Sequence, residues 1–159
     1  MNNPTFNDPN KMLQNLNVIF FSLIGGQILY FLVGLYLLQS GQFQQLSKMS
    51  TIFMYIVPLI NVVFIMAAKF VYEKKLLKLN KDENIEKKSQ SYLTNNIIKL
   101  ALLEGANLIN ITIMILTGNY FFAGFFVIII ALYFLNKPTK EKFITEYQLS
   151  SDEAMKLIS

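Results

Sequence analysis

Four apolar runs, separated by polar or Lys-rich stretches, organise this chain. The first extends from about Leu16 to Leu38, the second from about Thr51 to Val71, the third from about Asn96 to Leu116 and the fourth from about Tyr120 to Leu135. At a rise of about 1.5 Å per residue, each crosses most of a hydrocarbon layer about 30 Å thick, the fourth being the shortest. None alternates strictly between apolar and polar positions, and a closed barrel needs more strands than the 159 residues supply. Backbone groups in lipid must be satisfied internally, which leaves the helix as the spanning form. The expected fold is all-α: a polytopic membrane four-helix bundle over residues 1–137, built from two helical hairpins, followed by a short amphipathic helical tail over residues 138–159.

The polar stretches between the runs orient the bundle. Lys69, Lys74, Lys75, Lys78, Lys81, Lys87, Lys88 and Lys99 surround the loop at about 73–95, and Lys137, Lys140, Lys142 and Lys156 follow the fourth run. Gln39 to Ser50 carries only Lys48, and Thr117-Gly118-Asn119 carries no charge. The positive-inside rule then places both termini and the central loop in the cytoplasm. The first run exceeds the length of a signal-peptide core and lacks an A-x-A-like cleavage site, so it is expected to stay as a helix.

Two segments outside the runs have helical patterns of their own. From Glu73 the second helix is expected to continue, with Leu76, Leu77 and Leu79 among lysines, until Asn80 and the polar stretch to Gln90 interrupt it. Its lysines suit anionic lipid. In the tail, Pro138-Thr139 fits a helix start, Phe143, Ile144 and Tyr147 share a face, and the spacing of Ser150 to Glu153 fits a capping box before Ala154, Leu157 and Ile158. Helices this short are marginal alone. They should dock on the bundle, on the membrane surface or on another protein.

Composition narrows the chemistry. The chain is 53% hydrophobic and 15% charged with a mean hydropathy of +0.41, which leaves no room for a separate soluble core. It contains neither Cys nor His, which removes thiolate nucleophiles, imidazole bases and the usual zinc sites. No catalytic, cofactor-binding or metal-ligating residue is assigned, no cofactor is expected, and the chain reads as a non-enzyme. The net charge is +4, yet all 14 basic residues are Lys. Without the bidentate fork of Arg, nucleic-acid recognition is not the expected use of that charge.

The informative positions are the polar exceptions within the runs. Glu104 lies eight residues beyond Asn96, about 12 Å into the hydrocarbon, where an ionised carboxylate needs a partner or water. Gln27 and Asn61 fall at comparable depth in the first and second runs, Asn107 follows Glu104 by one turn, and Asn110 by another. Together Gln27, Asn61, Glu104, Asn107 and Asn110 form a candidate intramembrane polar layer. It reads either as amide glue between helices or as an ion or proton site centred on Glu104. Lys99, five residues before Glu104, is a plausible partner but not ideally placed, and is expected instead to snorkel to the surface.

Small residues and one proline flank that layer. Ser22 with Gly26, and Ala101 with Gly105, are small-xxx-small pairs suited to close helix packing. Pro58 cannot donate to Met54 and is a candidate kink one turn before Asn61. Leu23-Ile24-Gly25-Gly26-Gln27 also lines up with Leu102-Leu103-Glu104-Gly105-Ala106, which suggests either a direct hairpin repeat or the general likeness of apolar helices. The fourth run offers no chemistry, with Tyr120 and Tyr133 expected at the two interfaces.

Glu104-Gly105, Leu116-Thr117-Gly118-Asn119, Pro138-Thr139-x-Glu141-Lys142 and Leu149-Ser150-x-x-Glu153 resemble an uncharacterised group of small four-span bacterial membrane proteins. The resemblance covers about the second half of the chain and the Gly26-Gln27 region. It implies a multi-pass protein of the bacterial inner membrane and no particular reaction. Small multidrug exporters fit less well, since their membrane carboxylate lies in the first helix, and duplicated rotary-ATPase proteolipids have glycine-rich first helices that this chain lacks. The leading expectation is an assembly or accessory subunit of a membrane complex, associating with itself or with other membrane subunits. The alternative is a proton- or cation-coupled transporter or channel component in which Glu104 titrates.

Overall fold

The computed structural model describes residues 8–41, 49–79 and 83–158, the last segment without the side chains of Lys156 and Ile158. Lys48, Asn80, Lys81 and those two side chains, all used in reading the sequence, fall outside it. Among the described residues the regular structure is helical: α1 (Pro9–Ser40), α2 (Ser50–Leu77), α3 (Ile85–Thr117), α4 (Phe121–Leu135), α5 (Lys140–Glu146) and α6 (Ser151–Ile158). The all-α bundle expected from the apolar runs is the fold observed.

Helix boundaries extend beyond the apolar runs wherever a cap and a buried face carry them. α1 starts at Pro9, well before Leu16, because Asp8 accepts a hydrogen bond from the Asn10 N–H at 2.9 Å and Pro9 is preset for the first turn. Its opening turns are not wasted on solvent: Met12, Leu13 and Leu16 are buried. α2 continues past Glu73 and ends at Leu77, ahead of Asn80, but the polar stretch to Gln90 is not all loop, because α3 already starts at Ile85. Asn84 caps α3 by accepting from the Lys87 N–H at 3.0 Å, and Ile85 to Asn95 form the first turns of a 33-residue helix. Ser89, Tyr92 and Leu93 on those turns are buried, so tertiary packing supplies what the local apolar pattern lacks. Gly118 ends α3 at φ 67°, a left-handed conformation that glycine adopts without a Cβ penalty, and its N–H bonds the Met114 carbonyl at 2.9 Å.

α3 is the hub. It packs against α1, α2 and α4, whereas α1 and α2, although consecutive, form no comparable interface among the described residues. The second hairpin is a packed pair, and the first is splayed across α3. The segments that align in sequence therefore occupy unlike places: α3 is the most buried of the long helices and α1 is peripheral. Three apolar clusters stack along the bundle. Phe20, Leu100, Leu103, Ile129 and Tyr133 fill the middle, Val57, Ile111, Met114 and Phe122 fill the end away from the lysines, and a third cluster lies at the Lys-rich end.

That third cluster decides where the tail goes. Phe143 of α5, Tyr147 at its C-cap and Leu157 of α6 are buried against Met12 and Leu16 of α1 and Tyr92 of α3, so the tail docks on the bundle. Thr139 caps α5, accepting from the Lys142 N–H, and Ser150 and Glu153 make the reciprocal bonds of a capping box before α6. Tyr72 donates to Glu146, Asn95 donates to the Tyr147 hydroxyl at 2.7 Å, and Lys88 pairs with Glu153 at 3.0 Å.

The outer surface shows what solvent this fold is built for. α1, α2 and α3 are long and apolar enough to cross a membrane. Leu29, Leu32, Leu59, Val63, Val127 and Leu135 are more than half exposed on the outer faces of α1, α2 and α4, an apolar belt larger than a water-soluble monomer carries. The chain is a multi-pass membrane protein. α4 is apolar but has 15 residues, covering about 22 Å, and a bend of 69° separates it from α5.

Candidate intramembrane polar site

The polar layer expected from the sequence resolves into two amide pairs and a separate carboxyl group. On one side of α3, Asn61 donates to Asn110 at 2.7 Å and Asn110 donates back at 3.0 Å, a reciprocal pair that fills both donor and acceptor roles. Asn61 spends its other amide proton on the Val57 carbonyl at 2.8 Å. On the other side, Asn107 donates to Gln27 at 2.6 Å. Asn107 and Asn110, three residues apart on the hub helix, thus tie it to α1 and α2 respectively, and all four amides are at least 96% buried.

The second pair is incomplete. Gln27 Nε2 and Asn107 Oδ1 are buried and without a hydrogen-bond partner, one a donor and the other an acceptor. In a membrane interior such atoms are costly, and each can satisfy the other only if the side chains move or a small polar guest joins them.

Glu104 does not join either pair. Its side chain is half-buried on α3 and makes no hydrogen bond or ion pair among the described residues. The strip it occupies is the uncovered part of α3: Ala101, Leu108 and Thr112 are exposed there and Gly105 is half-buried. α1 borders that strip, with the Tyr30 hydroxyl 3.0 Å from Thr112 Oγ1. The Thr112 proton is committed to the Leu108 carbonyl at 2.7 Å, so Tyr30 is the donor. α2 borders the other edge, where a Cβ added at Gly105 would lie 3.0 Å from the Phe64 ring. The gap left by the splayed first hairpin is therefore where the carboxyl group looks out.

The candidate packing residues divide. Gly105 is a close-approach position, as expected. Gly26 is not: it is exposed, and a Cβ there would meet no atom within 4 Å, because Gln27 rather than Gly26 points inward on α1. The close approach on α1 is instead at Gly34, where a Cβ would lie 3.0 Å from the Ile115 side chain. Pro58 removes a donor to Met54, yet α2 runs through it as one helix. Tyr133, two residues from the end of α4, faces the bundle rather than its surface: it is fully buried beside Phe20 and donates to the Leu100 carbonyl at 2.6 Å, one turn from Glu104. Lys99 lies over the Tyr72 ring, 4.3 Å from its centroid, and takes no part in the layer.

Among the described residues, no group of three or more acidic side chains gathers in the way a metal ion needs. Sequence reasoning located the amides by depth but could not pair them, and Tyr30, Thr112 and Tyr133 carried no signal beyond being ordinary membrane-helix residues. No family model, curated protein or solved structure matches this chain.

Proposed function

We propose that this is a non-enzymatic, four-span protein of the bacterial inner membrane that acts as an assembly or accessory subunit, with both termini in the cytoplasm. The carrying observation is the contrast between Glu104 and the amides. The amides are used up inside the bundle, whereas the carboxyl group sits unbonded on the uncovered strip of α3 between α1 and α2. A carboxyl group facing lipid is expensive, and a second transmembrane helix with a polar side chain removes that cost by bonding it. The small side chains of Ala101 and Gly105 beside it permit a close approach. At the cytoplasmic face, Lys75, Lys78 and Lys87 gather around the turn from α2 to α3, where they suit anionic lipid.

The test compares Glu104→Gln with Glu104→Leu in gently solubilised membranes, using cross-linking and sedimentation. The parent should sediment as a complex, with itself or another subunit. Gln, which still hydrogen-bonds, should keep it, and Leu should lose it. A parent that sediments as a lone chain, or a Leu variant that assembles normally, overturns the reading.

One observation favours a second reading, a proton- or cation-coupled transporter or channel component. Asn107, one turn along α3 from Glu104, and its partner Gln27 on α1 each leave a buried polar atom unsatisfied, which offers a transient stop for a small polar species. In liposomes that reading requires a pH-dependent flux in the parent that Glu104→Gln abolishes.

A further inference from the structure

A cavity of about 380 Å³ opens at the Lys-rich end between α2, α3, α4 and α5. Its lining has the same gradient on three helices. α2 contributes Lys69 and, one turn deeper, Ile65; α3 contributes Lys99 and, one turn deeper, Leu103; Asn136 at the C-cap of α4 is followed, one turn deeper, by Leu132. Because these pairs end three of the apolar runs, the polar rim lies at the boundary of the hydrocarbon and the floor lies about 6 Å inside it. A volume of this size holds a ligand with one polar and one apolar part.

The charges on the rim discriminate among ligands. Lys99 has the Tyr72 ring at 4.3 Å but no carboxylate in ion-pair range, since the ion pairs among the described residues are Lys69 with Glu73 and Lys88 with Glu153. Glu146, at the end of α5, accepts from the Tyr72 hydroxyl, so Lys99 and Glu146 contact the ring and the hydroxyl of one tyrosine without forming an ion pair. The rim therefore offers a cation and an anion that are not joined. Lys69 and Lys99 are balanced by Glu73 and Glu146, so a ligand with only negative charge meets two carboxylates as well as two ammonium groups. A ligand carrying both signs meets complementary groups.

We propose that this cavity binds the headgroup of a zwitterionic aminophospholipid, its phosphate at Lys99 and its primary amine at Glu146, with the start of an acyl chain over Ile65, Leu103 and Leu132. The phosphate-and-amine chemistry is shared with soluble phosphoethanolamine esters. The apolar floor at membrane depth favours the lipid. This site is separate from the Glu104 strip and stands whether or not that strip binds a helix.

The test is native mass spectrometry on the delipidated full chain in detergent. The probes are phosphatidylethanolamine, phosphatidylcholine and phosphatidylglycerol with identical acyl chains, and soluble glycerophosphoethanolamine. Phosphatidylethanolamine should bind about tenfold more tightly than either other lipid, and Lys99→Gln and Glu146→Gln should each weaken it by about tenfold, the scale of one charge-assisted hydrogen bond. Glycerophosphoethanolamine should not compete at matched concentration. Leu132→Phe, which fills the floor and leaves every charge in place, should also weaken binding, so the outcome does not depend on the charge variants alone. Equal binding of the three lipids, unchanged binding in Lys99→Gln or Leu132→Phe, or full competition by the soluble ester overturns the proposal.

Discussion

Asn61 and Asn110 bind α2 to α3 through two opposed amide hydrogen bonds of 2.7 and 3.0 Å, deep among apolar side chains. Removing one partner leaves the other's donor and acceptor buried without replacement. Asn110→Leu should therefore destabilise the bundle by about 1–3 kcal/mol. Replacing both residues by Leu should cost less than the sum of the two single changes, since no orphaned amide remains. Unfolding in mixed micelles measures all three variants; additive losses would show that the two amides do not act as a pair.

The glycines make opposite predictions despite similar sequence surroundings. Gly105→Leu drives a side chain into the Phe64 ring and should destabilise by about 1–3 kcal/mol. Gly26→Ala meets nothing and should be neutral or stabilising, within about 1 kcal/mol, through helix propensity. Thermal unfolding of the two purified variants separates the contact from the motif.

Gln148, between α5 and α6, adopts φ 48° while the Leu149 N–H reaches back to the Ile144 carbonyl at 3.1 Å. This is a helix-ending turn that favours glycine at that position. Gln148→Gly should strengthen tail docking by about 1 kcal/mol by relieving the Cβ contact. Hydrogen exchange in α5 should slow; an unchanged or faster rate would rule the strain out.

Tail docking should also depend on pH through Glu153. Burial raises the pKa of this carboxyl group, but the Ser150 N–H and the bond and charge of Lys88 outweigh it and hold the group below its usual range. A folded value below the unfolded one means the contribution is complete above the ordinary Glu value of about 4.3 and is lost as pH falls through the depressed folded value. Limited proteolysis of the tail should be constant from about pH 7 to 5 and accelerate below about pH 4. Glu153→Gln should remove most of that change.

Apolar runs and two capping signatures determined much of this protein without its structure. The long helices follow from the length of hydrophobic sequence, because in lipid the backbone has no other way to satisfy itself. The tail helices follow from Thr139 and the Ser150-Glu153 box, because caps act within one turn of chain. Depth was legible too: Gln27, Asn61, Asn107 and Asn110 do meet inside the bundle, since position along a helix fixes height in the bilayer.

Azimuth was not legible. A helix that is apolar on all sides gives no periodic signal for which face turns inward. The sequence therefore could not tell that Gln27 points inward while its neighbour Gly26 points out, or that Gly34 rather than Gly26 is the close contact on α1. The start of α3 at Ile85 was hidden for a related reason: its polar first turns are held by contacts with α1 and the tail, residues far away in sequence. Only the tertiary structure decided that α3 is the hub, and that Glu104 lies beside a strip of it that the described helices leave uncovered.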